Sequence, residues 1–170
     1  MSDFDPNAYG PVFAPLLSID RDRSLGRGEP DRAWRDQLDL LTIDDAFEHT
    51  PLADRRMAEA CVAGVWLLHD LLDESHTFSQ SLDAPEGSFW HGIMHRREGD
   101  FGNAKYWFRR VGDHAVYGQL AERFGEWDPF AFVDQCEAAT RSGHADECRE
   151  RQQAEWETLF AWCYQHATDG

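Results

Sequence analysis

Residues 55–76 read RRMAEACVAGVWLLHDLLDESH, and the middle of this run, Cys61-Val-Ala-Gly-Val-Trp-Leu-Leu68, is apolar on every side. A helix that is hydrophobic all round must be buried all round. Asp54, just before the run, suits an N-cap, because a short carboxylate accepts from the free N–H groups of a first turn. The stretch therefore predicts a long buried central helix from Arg55 to about His76, extending toward Gln80.

The segments on either side continue the helical reading. Trp34, Leu38 and Leu41 stand at i, i+4 and i+7 and predict a helix over Asp31–Leu41. One or two more helical turns fit around Asp45, and Thr50-Pro51 ends them, because proline disfavours helix in the residue before it. Downstream, residues 82–87 predict a loop, Ser88 to about Arg97 a helix, Glu98-Gly99-Asp100 a turn, and 102–111 a further helix closed by Gly112. Val116–Phe124 is short and amphipathic. Asp128-Pro129 pairs a cap with a proline at the first helical position and starts a helix to about Arg141. The last helix runs from near Ala145 to about His166 on a stripe of Trp156, Leu159, Phe160 and Cys163. No run alternates with period two. The expected fold is all-α, a single-domain helical bundle over residues 31–170. Residues 1–30 carry Pro6, Pro11, Pro15 and Pro30 with Gly10, Gly26 and Gly28, and predict an irregular arm that Phe13, Leu16, Leu17 and Ile19 lay across the body.

A net charge of -16 opposes non-specific nucleic-acid binding, which needs a basic footprint, and opposes an anionic membrane surface. The longest apolar run is too short to span a bilayer, and the first ten residues lack the basic and apolar regions of a signal peptide. Cys61, Cys136, Cys148 and Cys163 form no C-x-x-C motif, and reduced thiols in a cytoplasmic protein are expected. No phosphate-binding glycine loop, dinucleotide fingerprint or serine nucleophile elbow is present.

Chemistry concentrates in residues 88–114, SFWHGIMHRREGDFGNAKYWFRRVGDH. His91, His95 and Glu98 stand at i, i+4 and i+7 on one predicted helix, and His69, Asp73 and His76 repeat that spacing on the central one. Two antiparallel helices would face His76 toward His91, Asp73 toward His95 and His69 toward Glu98. Histidines one turn apart present two nitrogens to one ion, and a third ligand from a neighbouring helix leaves a position for water. The candidate ligands of a divalent metal such as zinc are His76, His91, His95 and Asp73. His91 and His95, with Glu98 to complete or orient them, serve equally as an acid/base pair without metal. The same groups also fit a purely structural polar network.

A basic island, Arg96, Arg97, Lys105, Arg109 and Arg110, interrupts the acidic chain, and Lys105 is its single lysine. Guanidinium groups fork onto carboxylates and phosphates. Arg96, Arg97, Lys105 and Arg109, with Asn103 and His114 adding hydrogen bonds, are the candidate ligands of an anionic small molecule. The alternative is that these arginines meet the protein's own acids. Trp90, Tyr106, Trp107 and Phe108 are core or pocket lining.

Three resemblances attach to these residues. Trp90, His91, Met94 to Glu98, Asp100 and Asn103 to Arg110 resemble a signature of uncharacterised bacterial and fungal proteins, and it carries no catalytic assignment. Gly99–Phe108, with Gly92 seven residues earlier, is similar to half of one tetratricopeptide or Sel1-type repeat unit. One histidine on one helix and an H-x-x-x-H pair on another is similar in arrangement to helical-bundle metalloproteins of the DinB type. The functional expectation is a His/Arg/Glu site for an anionic small molecule, in a metal-dependent hydrolase-like enzyme. A helical protein-interaction module is the alternative.

Overall fold

The structure, a computed structural model, describes residues 3–169. Among these the chain is all-α and forms a single helical bundle. Its helices are α1 (Gly10–Leu17), α2 (Arg35–Asp39), α3 (Ile43–Ala46), α4 (Arg55–Leu68), α5 (Leu72–Gln80), α6 (Pro85–Glu98), α7 (Phe101–Val111), α8 (Ala115–Phe124), α9 (Pro129–Ser142) and α10 (Asp146–Thr168). No helix among the described residues is long and apolar enough to cross a membrane. Thr42, Asp54, Asp100 and Asp128 each turn a side-chain oxygen onto an N–H of the first helical turn. Each therefore satisfies donors that the helix leaves without partners.

The arm is more regular than its prolines predict. Pro6 opens a short 3₁₀ turn, Pro11 falls in the first turn of α1, and only Pro15 lies inside that helix. First-turn prolines cost little, because the N–H they lack has no helical partner there. Burial supplies the rest. Phe13 is fully buried and meets the rings of Phe47, Phe160 and Tyr164 edge-on.

Two helices occupy the centre. On α4 every residue from Ala60 to Leu68 is buried. Gly64 lets this helix approach Trp90 of α6 so closely that a Cβ there would lie 2.7 Å from the indole. Its carbonyl accepts from Trp156 Nε1 of α10 at 2.9 Å. The second is α6, buried from Glu86 to Arg97 although half its residues are polar. It begins at Pro85, inside the stretch read as a loop, because proline is well placed in a first turn. Gly99 ends it in the left-handed region, φ 83°, and α7 folds back so that Gly92 receives the Phe108 ring.

The predicted central helix does not continue to His76. It stops at Leu68, and α5 starts anew at Leu72. Between them Asp70 takes φ 62°, the only left-handed non-glycine among the described residues. Asp70 N–H donates to Leu67 O at 3.1 Å and Leu71 N–H to Trp66 O at 3.0 Å. This pair of bonds is a Schellman ending, usually built on glycine. Aspartate is held here by its carboxylate. Oδ1 accepts from Arg97 Nη2 at 2.5 Å, and Oδ2 accepts from Arg23 and from Glu29 N–H. Arg97 is itself buried and donates also to Leu67 O and Gly26 O. The bend thus depends on an ion pair, and burial makes that pair costly to break. Asp70→Gly suits the backbone but strands the Arg97 guanidinium, so a loss of about 3 kcal/mol in unfolding free energy is expected. Urea denaturation checks this, and a loss below about 1 kcal/mol would show that the carboxylate does not hold the bend.

Candidate functional site

The bend decides which histidines meet. His69, the C-cap of α4, places Nε2 2.9 Å from Leu16 O and turns its ring against Trp34. It does not reach Glu98. His76, carried on the separate helix α5, does reach α6. Its ring centroid lies 4.5 Å from that of His91 and 5.7 Å from that of His95. The His91 and His95 rings stack at 4.8 Å, one helical turn apart. One ligand nitrogen from each of the three can be chosen so that all lie within 4.8 Å of one another.

His91 is the centre of the group. Its ring is 1% exposed and lies flat on Trp107 of α7, with centroids 3.9 Å apart and planes at 14°. Its Nδ1 is buried and has no hydrogen-bond partner among the described residues. Burial, with the neighbouring His76 and His95, lowers its pKa from 6.5 to about 3. The imidazole is therefore neutral at pH 7, with a lone pair available, as a metal ligand must be. Burial also holds His95 below its ordinary value, against the opposite pull of Glu98 and Asp100.

The groups around His95 select its tautomer. Nδ1 lies 3.1 Å from Glu98 Oε2, and Asn103 Nδ2 lies 3.2 Å from Nε2. A carboxylate accepts and an amide NH₂ donates, so Nδ1 carries the proton and Nε2 the lone pair. Glu98 is steadied in turn by Arg27, whose Nη1 donates to Glu98 Oε1 at 2.8 Å and whose Nη2 donates to Asp73 Oδ1 at 3.0 Å. A carboxylate behind a ligating histidine is the usual outer shell of a metal centre.

The other sequence-predicted residues are placed elsewhere. Asp73 is solvent-exposed on the far side of Arg27 and is not one of the converging groups. The bend rotates α5 relative to α4, so the predicted facing of Asp73 and His95 does not form. Arg96 turns away from the histidines into the core. Its guanidinium donates to Glu155 Oε2 at 2.5 Å and Oε1 at 3.2 Å, with both side chains fully buried, and Phe132 covers it. Arg97 is bound up at the bend. Lys105 pairs with Asp134 of α9 at 2.6 Å. Arg109 is exposed without an ion pair among the described residues. His114 caps α8 through Nδ1 and donates from Nε2 to Glu86 Oε1 at 3.1 Å. Of the candidate anion ligands only Asn103 stands beside the histidines, and the basic island is dispersed over α6 and α7. Arg96 and Arg97 are adjacent on α6 and therefore point to different neighbours.

Sequence reasoning missed three residues of this site or its frame. Arg27 lies in the arm with no local signal for its role. Asp70 falls within the predicted central helix and carries no local signal for a break. Glu155 sits mid-helix among other charges. No family model, curated protein or solved structure matches the chain.

Two outcomes follow from this geometry. Glu155→Leu leaves the Arg96 guanidinium without its counter-charge and is expected to destabilise by about 3–5 kcal/mol, whereas combining it with Arg96→Met recovers most of the loss. A double-mutant cycle read by denaturant unfolding checks it, and two single losses that simply add would argue against the pair. The second concerns pH. His69, His91 and His95 all titrate lower in the folded protein than the ordinary 6.5, so between those values the unfolded chain binds more protons. Their contribution is complete above about pH 6.5 and is lost as pH falls toward the folded values, at up to about 1.4 kcal/mol per pH unit for each. In metal-free protein the unfolding free energy should fall steadily from about pH 6.5 to 4, and His91→Asn should flatten that slope. An unchanged slope in the variant would contradict the assignment.

Proposed function

We propose that His76, His91 and His95 bind one divalent transition metal of the zinc class, in a centre that hydrolyses an anionic small molecule. The observation that carries this reading is the convergence of three imidazoles on a region where the buried Nδ1 of His91 has no partner. Neutral histidine nitrogens are the ligands such ions select. A tetrahedral zinc with bonds of about 2.0–2.1 Å sets its nitrogens about 3.3 Å apart. The three groups, spread over 4.8 Å, therefore have to close by about 1.5 Å. Rotation of His76, the half-buried member on the short helix α5, supplies that movement most readily.

Three protein ligands leave room for a water, and a metal of this class lowers the pKa of that water to about 7, which makes it a nucleophile at neutral pH. The chain's own groups position the ligands. Glu98 fixes the proton of His95 on Nδ1, Arg27 holds Glu98, and Trp107 keeps the His91 ring flat. Asn103 occupies His95 Nε2 in the absence of the ion and gives up that hydrogen bond when it enters. The four free cysteines, three of them buried, support a reducing, cytoplasmic setting.

The test is metal titration of protein purified without a histidine tag and stripped with a chelator. One zinc or cobalt per chain is expected, with His91→Ala and His95→Ala abolishing binding and Glu98→Gln weakening it by about 10–100-fold. Folded wild-type protein that takes up no stoichiometric metal, or a His91→Ala/His95→Ala variant that still binds it, would overturn the reading. Hydrolysis of a nitrophenyl ester or phosphate, lost on chelation and restored by zinc, would establish the reaction class.

A further inference from the structure

An open cleft of about 340 Å³ lies between the end of α5, the loop to α6, and α7, and shares Trp107 with the histidine group. Its walls belong to the elements that carry the site. Ser79 stands one turn beyond His76, Ser88 one turn before His91, and Trp107 is the ring on which His91 lies. Arg110 closes the cleft, with its guanidinium carbon 5.2 Å from the Trp107 ring centroid.

Arg110 is unusual in this chain. Twelve of the fifteen arginines form ion pairs. Arg110, in a protein with 32 acidic residues, has no carboxylate partner among the described residues. The single acid on the cleft wall, Asp83, lies within the electrostatic reach of Arg56. Ser88 is nearly buried, yet its hydroxyl makes no hydrogen bond with the described residues. An unpaired guanidinium and an unengaged hydroxyl thus share a cleft at the lower end of the size range for small-molecule sites.

We infer that this cleft is the anion pocket of the same site. It binds the phosphate or carboxylate of a small substrate, with Arg110 forking onto the oxyanion, Ser88 donating to it, and Trp107 forming the wall toward His91. The identification of the bound molecule as a substrate rests on the metal reading above, whereas the anion binding itself does not. Bound here, the anion would meet the Trp107 ring that packs against His91, and the net charge of -16 would keep anions away from most of the remaining surface.

The experiment titrates metal-stripped protein with phenyl phosphate and with benzoate, read by saturation-transfer NMR and calorimetry. Saturable binding of one molecule per chain is expected. Arg110→Gln should weaken it by about 10-fold or more, as the loss of a charge-assisted pair does, and Ser88→Ala by a few-fold. Arg109→Gln, which removes the neighbouring unpaired guanidinium outside the cleft, should leave binding unchanged. Preference for one anion over the other names the headgroup. Absence of binding at about 10 mM, or equal losses in the Arg109 and Arg110 variants, would overturn the pocket, since only diffuse attraction would remain. Zinc uptake by Arg110→Gln should stay at the wild-type value. Metal binding without anion binding would therefore overturn the pocket alone, and anion binding without metal would overturn only the hydrolytic reading.

Discussion

The carboxylate of Asp70 connects the fold to the site. It sits in a left-handed position that costs an L-residue about 1–2 kcal/mol, and two guanidiniums hold it there. Through Arg97 it joins the end of α4 to α6, and through Arg23 and the Glu29 amide it pins the arm over both. Without this bend α5 would continue along the α4 axis, and His69, Asp73 and His76 would share one face. With it, His76 lies against His91 and His95. Arg27, a few residues from Arg23 in the same arm, then reaches Glu98 and Asp73.

The burial of α6 is the second constraint. Glu86, His91, His95, Arg96 and Arg97 are all buried on one helix, and a buried charge is tolerated only when it is paired. Four of these five have assigned partners: Arg96 with Glu155, Arg97 with Asp70, Glu86 with His114 and Trp162, and His95 with Glu98 and Asn103. Burial pushes the Glu86 carboxyl up, but the hydrogen bonds from His114 and Trp162 outweigh it and leave it below the usual carboxylate range. His91 is the exception, with one ring nitrogen buried and unpartnered. Trp90 Nε1 and Arg96 Nε on the same helix are also buried without a partner among the described residues, but of these nitrogens only His91 Nδ1 can offer a lone pair.

Much of the architecture was legible in the sequence. The run from Cys61 to Leu68 reads as buried because no face of it is polar, and it is buried. Asp128-Pro129 and Gly99 mark helix ends through local backbone chemistry, and they fall where expected. The pairing of His76 with His91 was also legible, from spacing and a short connection. The break at Asp70 was not, because aspartate carries no local signal for a left-handed turn that depends on arginines 27 and 47 residues away. The prolines of the arm predict an irregular path, but two of them stand where a helix accepts them and Phe13 has a core to enter.

By itself the sequence determined that the chain is all-α, where most helices begin and end, and that three histidines lie near enough in spacing to meet. Those properties depend on a few neighbouring residues: caps, prolines, glycines and apolar periodicity. Only the tertiary structure decided which charges face which. Arg96, Arg97 and Arg110 look alike within a basic run, yet one is sealed on Glu155, one holds the bend, and one faces an open cleft. A side chain's direction on a helix is fixed by its position in the turn, but what it meets is fixed by how distant segments pack. In a protein interior the partner, and not the residue type, sets the energy of a charge.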